Sequence, residues 1–294
     1  DNVSIQVKNQ YEDNPYPRWE ILKLNYNAKT FQEIAIEIEL EVSPIDAIDN
    51  SEPTILIAGC GTGQHCIETA TRFKNCEVVA IDLSRSSLAY AKRKTNELGI
   101  KNISYIQADI LDSRDLNLKF DIIECSGVLH HMENPLKGWR ALADVLKPGG
   151  FLRVALYSKL ARESINKPKI NLYDLSKKQI IDIRESIISS WQGDSDPIIN
   201  SVDFYSLSSM RDLLLHIQEH RFTLLQISTY LSRLDLKFSG FESKRLREFF
   251  KSQYVEKENI YDLKKWHDLE KQNPNIFSGM YQFWCQKTNP SVGR

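Results

Sequence analysis

The stretch Thr54-Ile55-Leu56-Ile57-Ala58-Gly59-Cys60-Gly61-Thr62-Gly63 decides the fold of this 294-residue chain. A short β-branched run passes at once into three glycines at alternating positions. A second apolar run, Val78-Val79-Ala80-Ile81, ends at Asp82 about twenty residues on, the spacing of a nucleoside-binding unit. The order is strand, backbone-exposing loop, helix, then an acid at the tip of the next strand. Glycines let main chain approach a ligand that a β-carbon would hold off. A carboxylate at that tip accepts hydrogen bonds from both hydroxyls of a ribose. A dinucleotide loop reads G-x-G-x-x-G, with a helix N-terminus facing a pyrophosphate. Here the glycines read G-x-G-x-G, and the helix opens with Gln64-His65.

Outward from this loop, apolar runs alternate with amphipathic helices. Strands are predicted at Thr54–Ala58, Glu77–Ile81, Ile103–Gln107, Phe120–Cys125 and Phe151–Tyr157, the last entered by a turn at Pro148-Gly149-Gly150. Helices are predicted near Gln64–Lys74, after the N-cap Ser84 with Leu88, Ala91 and Leu98 on one face, and at Pro135–Leu146. Such alternation implies a parallel sheet with helices on both faces. Past Tyr157 helices dominate: Leu175–Ser190, Ser206–Glu219, Thr223–Leu234, Ser243–Tyr254 and Tyr261–Lys271. The stretches Leu236–Phe241 and Met280–Gln286 alternate like strands.

Composition narrows the function. A hydrophobic fraction of 41% suits a globular core, and a formal net charge of −1 argues against a general nucleic-acid surface. The run Lys92-Arg93-Lys94 reads as a solvated helix face. Five scattered cysteines with no C-x-x-C pair indicate neither a disulfide framework nor a zinc site and suit a reducing cytosol. No apolar stretch reaches about 18 residues, so no membrane span is expected. No metal site is expected; His216 and His220, at i and i+4, lack a third ligand. The chain starts at Asp1 instead of Met, which fits a trimmed piece of a longer protein.

Five motifs in order, A-G-C-G-T-G at 58–63, Asp82, Gln107-Ala108-Asp109-Ile110, Phe120–Cys125 with Val128–Met132, and Leu146-Lys147-Pro148-Gly149-Gly150, resemble those of class I S-adenosylmethionine-dependent methyltransferases. The flank Tyr11-Glu12-Asp13-Asn14-Pro15-Tyr16-Pro17-Arg18-Trp19 resembles the lead-in of bacterial methyltransferase domains that often accompany tetratricopeptide repeats. Tyr157–Arg162, Asp203–Ser206, Arg211–Leu214 and Met280–Trp284 resemble the same group. The resemblance implies an α/β, Rossmann-like, seven-stranded and mostly parallel sheet with the last strand antiparallel. It implies S-adenosylmethionine as cofactor, S-adenosylhomocysteine as product, and a small-molecule or peptide/protein acceptor. Four segments are expected: 1–50, an N-terminal strap and helix; 51–157, the cofactor-binding core; 158–235, a mainly helical cap; and 236–294, the last two strands with a helical insertion.

Carried over residue by residue, the resemblance puts Gly59, Cys60, Gly61, Gly63 and Gln64 under the methionine and ribose. Asp82 takes the ribose, Leu83 packs on adenine, and Asp109 and Ile110 contact its edge, although Asp109 also reads as a helix cap. Cys125 is expected to face the methionyl part as a small lining residue. For the acceptor, His131 is expected to face the pocket as a general base, with His130 in packing or in the same role. Tyr11, Tyr16, Arg18, Trp19 and Tyr157 are expected nearby; the lead-in either reaches a carboxylate through Arg18 or serves as a stiff strap. Asp203, Tyr205 and Arg211 either cover the acceptor or cap helices. Two other readings stay open: a non-catalytic cofactor-binding partner module, and a nicotinamide-dependent oxidoreductase, which the glycine spacing disfavours.

Overall fold

The structure, a computed structural model, describes residues 2–22, 24–43, 51–163, 175–190, 199, 202–214, 216, 218–254 and 257–288. Strands β1 (Thr54–Ala58), β2 (Glu77–Asp82), β3 (Ile103–Gln107), β4 (Phe120–Ser126), β5 (Leu146–Leu156), β6 (Leu236–Phe241) and β7 (Tyr281–Lys287) form one sheet. Its order is β3-β2-β1-β4-β5-β7-β6. The first five strands pair in parallel, and β7 runs antiparallel between β5 and β6. This is the Rossmann-like α/β sheet expected from the motifs.

Strand alternation divides the core in two. Ile55 and Ile57 of β1 pack with Val78, Ala80, Ile122, Phe151 and Trp284 on one face. That face is covered by α2 (Phe31–Glu37) and α3 (Gln64–Arg72) through Phe31, Ile34, Cys66 and Ala70. Leu56 and Ala58 point the other way, into a larger cluster with Ile123, Cys125, Leu152 and Phe283. There α5 (Pro135–Val145), α8 (Leu224–Arg233), α9 (Lys244–Gln253) and α10 (Leu263–Gln272) supply Trp139, Ile227, Phe250 and Trp266. A fully buried aromatic of this kind removes some 150–250 Å² from water, so these rings dominate the apolar stabilisation.

Local signals explain where helices start. Ser84 Oγ accepts from the Ser87 amide at the head of α4 (Arg85–Glu97), and Thr223 and Gln226 form a capping box on α8. Thr30 and Glu33 do the same for α2. The first helix, α1 (Asn2–Asp13), buries no residue of its own.

Four expectations need correction. β5 begins at Leu146, which pairs with Phe120; the Pro148-Gly149-Gly150 segment is an irregularity within the strand, with a register shift between Phe120 and Ile122 and Gly149 at φ +75°. Leu98 is exposed at the C-cap of α4. The helix predicted over Ser206–Glu219 is α7 (Leu207–Leu214) and stops before His216. Beyond it the His220 amide donates to the His130 carbonyl at 2.7 Å, tying the chain to the loop after β4. Lys94 is not a free surface cation: its ammonium lies 5.7 Å from the Trp19 ring. Within the segment 158–235, α6 (Lys177–Ser190) and α7 share a small core of Leu175, Ile180, Phe204, Met210 and Leu214, whereas α8 joins the main core.

Candidate functional site

The C-terminal ends of β1, β2 and β4 open onto a cavity of about 380 Å³. Its floor is the loop after β1. Gly59 and Gly61 take the left-handed conformation, φ +77° and +52°, that glycine adopts without strain. The amides of Gly59 and Cys60 both donate to the Ile81 carbonyl at 2.9 Å. Asp82 then holds the loop: Oδ2 accepts from the Gly61 amide at 2.8 Å, and Oδ1 from the Ser84 amide at 2.9 Å. Burial pushes the Asp82 carboxyl up from its ordinary value, and these amides oppose the shift.

The lead-in segment lies across this loop. The Thr62 amide donates to the Tyr16 carbonyl at 3.1 Å, and the Thr62 hydroxyl donates to the Pro17 carbonyl at 2.5 Å. Trp19 Nε1 donates to Thr62 Oγ1 at 3.1 Å, and the Tyr90 hydroxyl to the Trp19 carbonyl. Upstream, Glu12 accepts from the Ser84 hydroxyl at 2.9 Å and the Ser86 amide at 3.1 Å, at the head of α4. The Ser86 amide and the Ser84 hydroxyl hold the Glu12 carboxyl below its ordinary value. Val3, Ser4, Val7 and Tyr11 of α1 thereby become a wall of the cavity.

Strand order separates two ends. On the β2–β3 side stand Asp82, Leu83, Ala108, Asp109 and Ile110. Asp109 Oδ1 also accepts from the Leu111 amide at 3.0 Å, so it caps the following turn as well as lining the cavity. On the β4–β5–β7 side stand Ser126, Gly127, Val128, His131, Met132, Arg153, Met280 and Gln282, with His65 and Glu68 of α3.

Two polar clusters shape this second end. In one, His131 Nδ1 donates to the Gln218 carbonyl at 2.7 Å, and its ring stacks on His216 with centroids 3.4 Å apart. His216 Nε2 lies 3.2 Å from the Tyr11 hydroxyl, which links α1 to the chain after α7. In the other, His65 Nε2 pairs with buried Glu124 Oε2, which also accepts from Thr69 Oγ1 at 3.1 Å. Arg153 reaches Glu242 and Gln282, and its Nη1 lies 3.9 Å from Glu124. Burial alone would raise the Glu124 carboxyl; His65 and Arg153 outweigh it and hold it at about 2. Glu124 Oε1 has no hydrogen-bond partner among the described residues.

The residues picked out in the sequence divide accordingly. Gly59, Cys60, Gly61, Gln64, Asp82, Leu83, Asp109, Ile110, Tyr11, Tyr16 and His131 line the cavity. Cys125 does not: strand parity turns it into the apolar core, where burial raises its thiol to about 12, and Ser126 faces the cavity instead. Gly63 backs onto α4, where a β-carbon would lie 2.6 Å from Ala91 Cβ. His130 is wholly buried against Tyr157, and the Arg162 guanidinium covers the Tyr157 ring at 3.8 Å. Trp19 is buried in the strap contact, while the Arg18 side chain is 73% exposed beside Glu20. Tyr205 is exposed, and Arg211 donates to the Leu175 carbonyl, away from the cavity. The side chain of Asp203 lies outside the described residues.

His65, Glu68, Arg153, Gln282 and, of α1, Val3, Ser4 and Val7 went unrecognised in the sequence. Only His65, directly after the glycine loop, carried a local signal. Among the described residues no group of three or more His, Cys, Asp or Glu is placed to hold a metal, and no helix is long and apolar enough to cross a membrane.

Residues 49–202 match the family model described as methyltransferase domain, and the chain belongs to that family. The matched span holds β1 to β5, the strands whose ends build most of the cavity. An uncharacterized protein of a Synechococcus strain is 29% identical over 229 residues, covering 73% of this chain and 55% of that protein. A ubiquinone biosynthesis O-methyltransferase of Serratia proteamaculans is 29% identical over 100 residues, 34% of this chain and 40% of the relative. The solved structure of PKMT2 from Rickettsia typhi with AdoHcy superposes with a TM-score of 0.57 at 16% identity, covering 92% of this chain and 54% of that one. The chain thus spans about half the length of the Synechococcus protein and of PKMT2.

Proposed function

We propose that this protein transfers the methyl group of S-adenosylmethionine to a small-molecule or peptide/protein acceptor. One observation carries the reading. The carboxylate of Asp82 ties down the glycine loop at the head of a cavity whose walls change from nucleoside-like to acceptor-like along the strand order. In this reading Asp82 accepts from the ribose hydroxyls, and Leu83, Asp109 and Ile110 hold the adenine. Gly59, Cys60, Gly61 and Gln64 lie under the ribose and methionine, and Ser126 takes the place expected of Cys125. Tyr11, Tyr16 and His131 bound the acceptor end. Segment 51–157 is the cofactor core, with α6 and α7 of 158–235 as a cap. Five buried free thiols support a cytoplasmic setting.

Methyl transfer is an in-line displacement at a carbon already activated by the sulfonium, so the protein's tasks are alignment and exclusion of water. Calorimetric titration tests the reading. S-adenosylhomocysteine should bind and NAD should not. Turnover of S-adenosylmethionine should depend on one member of a panel of amines, hydroxyl compounds and peptides. NAD binding, or an absence of binding by S-adenosylhomocysteine, defeats it.

A further inference from the structure

The mechanism leaves the ion pair of Glu124 and His65 without a task. Glu124 sits on β4 with its side chain 1% exposed, and its partner His65 lies on the first turn of α3 with 27% of the side chain exposed to the cavity. A carboxylate cannot donate, so in the short contact with Glu124 the proton sits on His65 Nε2, and Arg153, whose Nη1 lies 3.2 Å from the same nitrogen, turns its Nε hydrogen to Glu242. Nδ1 then carries a lone pair, and no residue among those described bonds to it. This is a histidine oriented by an acid and presenting a basic nitrogen to a ligand space.

The strand order says which ligand that is. With ribose on Asp82 and the base toward β3, the donor's amino-acid part crosses β1 toward β4. The transferred methyl then points over the ends of β4, β5 and β7, the side on which Glu124, Arg153 and Gln282 stand. His131, on the same side, has Nδ1 committed to Gln218 and one ring face covered by His216.

We propose that His65 is the base for methyl transfer to an N–H or O–H acceptor, and that Glu124 is its positioning residue. The inference rests on the donor reading of the same cavity. The acceptor's lone pair forms the bond to the methyl carbon as the carbon–sulfur pair returns to sulfur, releasing S-adenosylhomocysteine. The N–H or O–H electron pair stays on the acceptor atom, and its proton passes to His65 Nδ1. Glu124 balances the imidazolium until the proton leaves to solvent. The charged groups around the ring are Glu68 and Arg72 of α3, Glu124, Arg153, and Glu242 beyond β6.

Sinefungin tests this without knowledge of the acceptor, because an amine-bearing carbon stands where the donor has its methyl sulfonium. Its affinity is compared with that of S-adenosylhomocysteine by calorimetry in wild type, His65→Ala and Glu124→Gln. Wild type should favour sinefungin, its ammonium donating to Nδ1. His65→Ala should keep the S-adenosylhomocysteine affinity and lose roughly tenfold or more of the sinefungin margin. Glu124→Gln should reduce the margin in part and shift its pH dependence, which a purely structural glutamate would not do. An unchanged margin in His65→Ala overturns the proposal while leaving the donor site standing. Equal losses for both ligands overturn it by putting His65 on the amino-acid tail. Failure of wild type to bind either ligand removes the donor reading itself and this inference with it.

Discussion

The main-chain oxygen of Tyr16 occupies the space that a β-carbon on Gly61 would need. The glycine is therefore required first by the strap, which lies on the loop, and the donor meets a surface that Tyr16, Pro17 and Thr62 have already built.

Replacing Gly61 with Val sets a branched side chain against Tyr16 and forces φ +52° on a residue that resists it. The expected cost is about 1–3 kcal/mol of stability, with faster amide exchange at Thr62 and residues 16–19. A thermal melt and an exchange map check both. Wild-type protection at Thr62 would mean that strap and loop are independent.

Asp82 has two duties, so its loss should be felt twice. Asp82→Ala frees the Gly61 and Ser84 amides and removes the acceptor for the ribose, and donor affinity should fall by roughly 1.5–3 kcal/mol. Asp82→Asn should do little better, because its amide nitrogen would oppose one of two N–H groups. Titration with S-adenosylhomocysteine reads both variants. Full affinity in Asp82→Asn would show that the two amides find other partners.

The loop and its acid were legible because the chemistry is local: alternating glycines, a β-branched strand and a correctly spaced carboxylate. Strand limits were legible for the same reason, except at β5, where Pro148-Gly149-Gly150 looks like a turn but is absorbed as a bulge. The placement of Cys125 failed on parity, since one residue along a strand exchanges core for cavity. Of the wall made by α1 only Tyr11 was legible; Val3, Ser4 and Val7 were hidden because no α1 residue is buried, leaving no strong periodic signal. The pair His65–Glu124 joins residues 59 positions apart, and nothing in either neighbourhood announces the other.

Glu12 is the hinge of that hidden wall. It fixes α1 to the head of α4 through Ser84 and Ser86, where Ser84 also reaches the Tyr11 carbonyl, while the Tyr11 hydroxyl faces His216. Glu12→Ala should leave the fold intact and speed release of S-adenosylhomocysteine, because the residues Val3, Ser4 and Val7 no longer stay over the cleft. Stopped-flow dissociation measures this. An unchanged off-rate would make α1 a passive neighbour of the site.

The final expectation concerns acid stability. Glu124 titrates at about 2 in the folded protein, against 4.5 for the unperturbed group. Between those values the unfolded chain binds the proton and the native state does not, so acid favours unfolding. The stabilisation is complete above pH 4.5 and is lost as pH falls toward 2. Glu124→Gln cannot titrate, yet its amide oxygen can still accept from His65 Nε2. The variant should therefore be less stable than wild type by a few kcal/mol near neutral pH, and the gap should close on acidification through that window. Urea unfolding at a series of pH values from neutral to strongly acid gives the two curves. Parallel curves would mean that Glu124 keeps its proton affinity on folding, and that its pairing with His65 and Arg153 does no more than offset its burial.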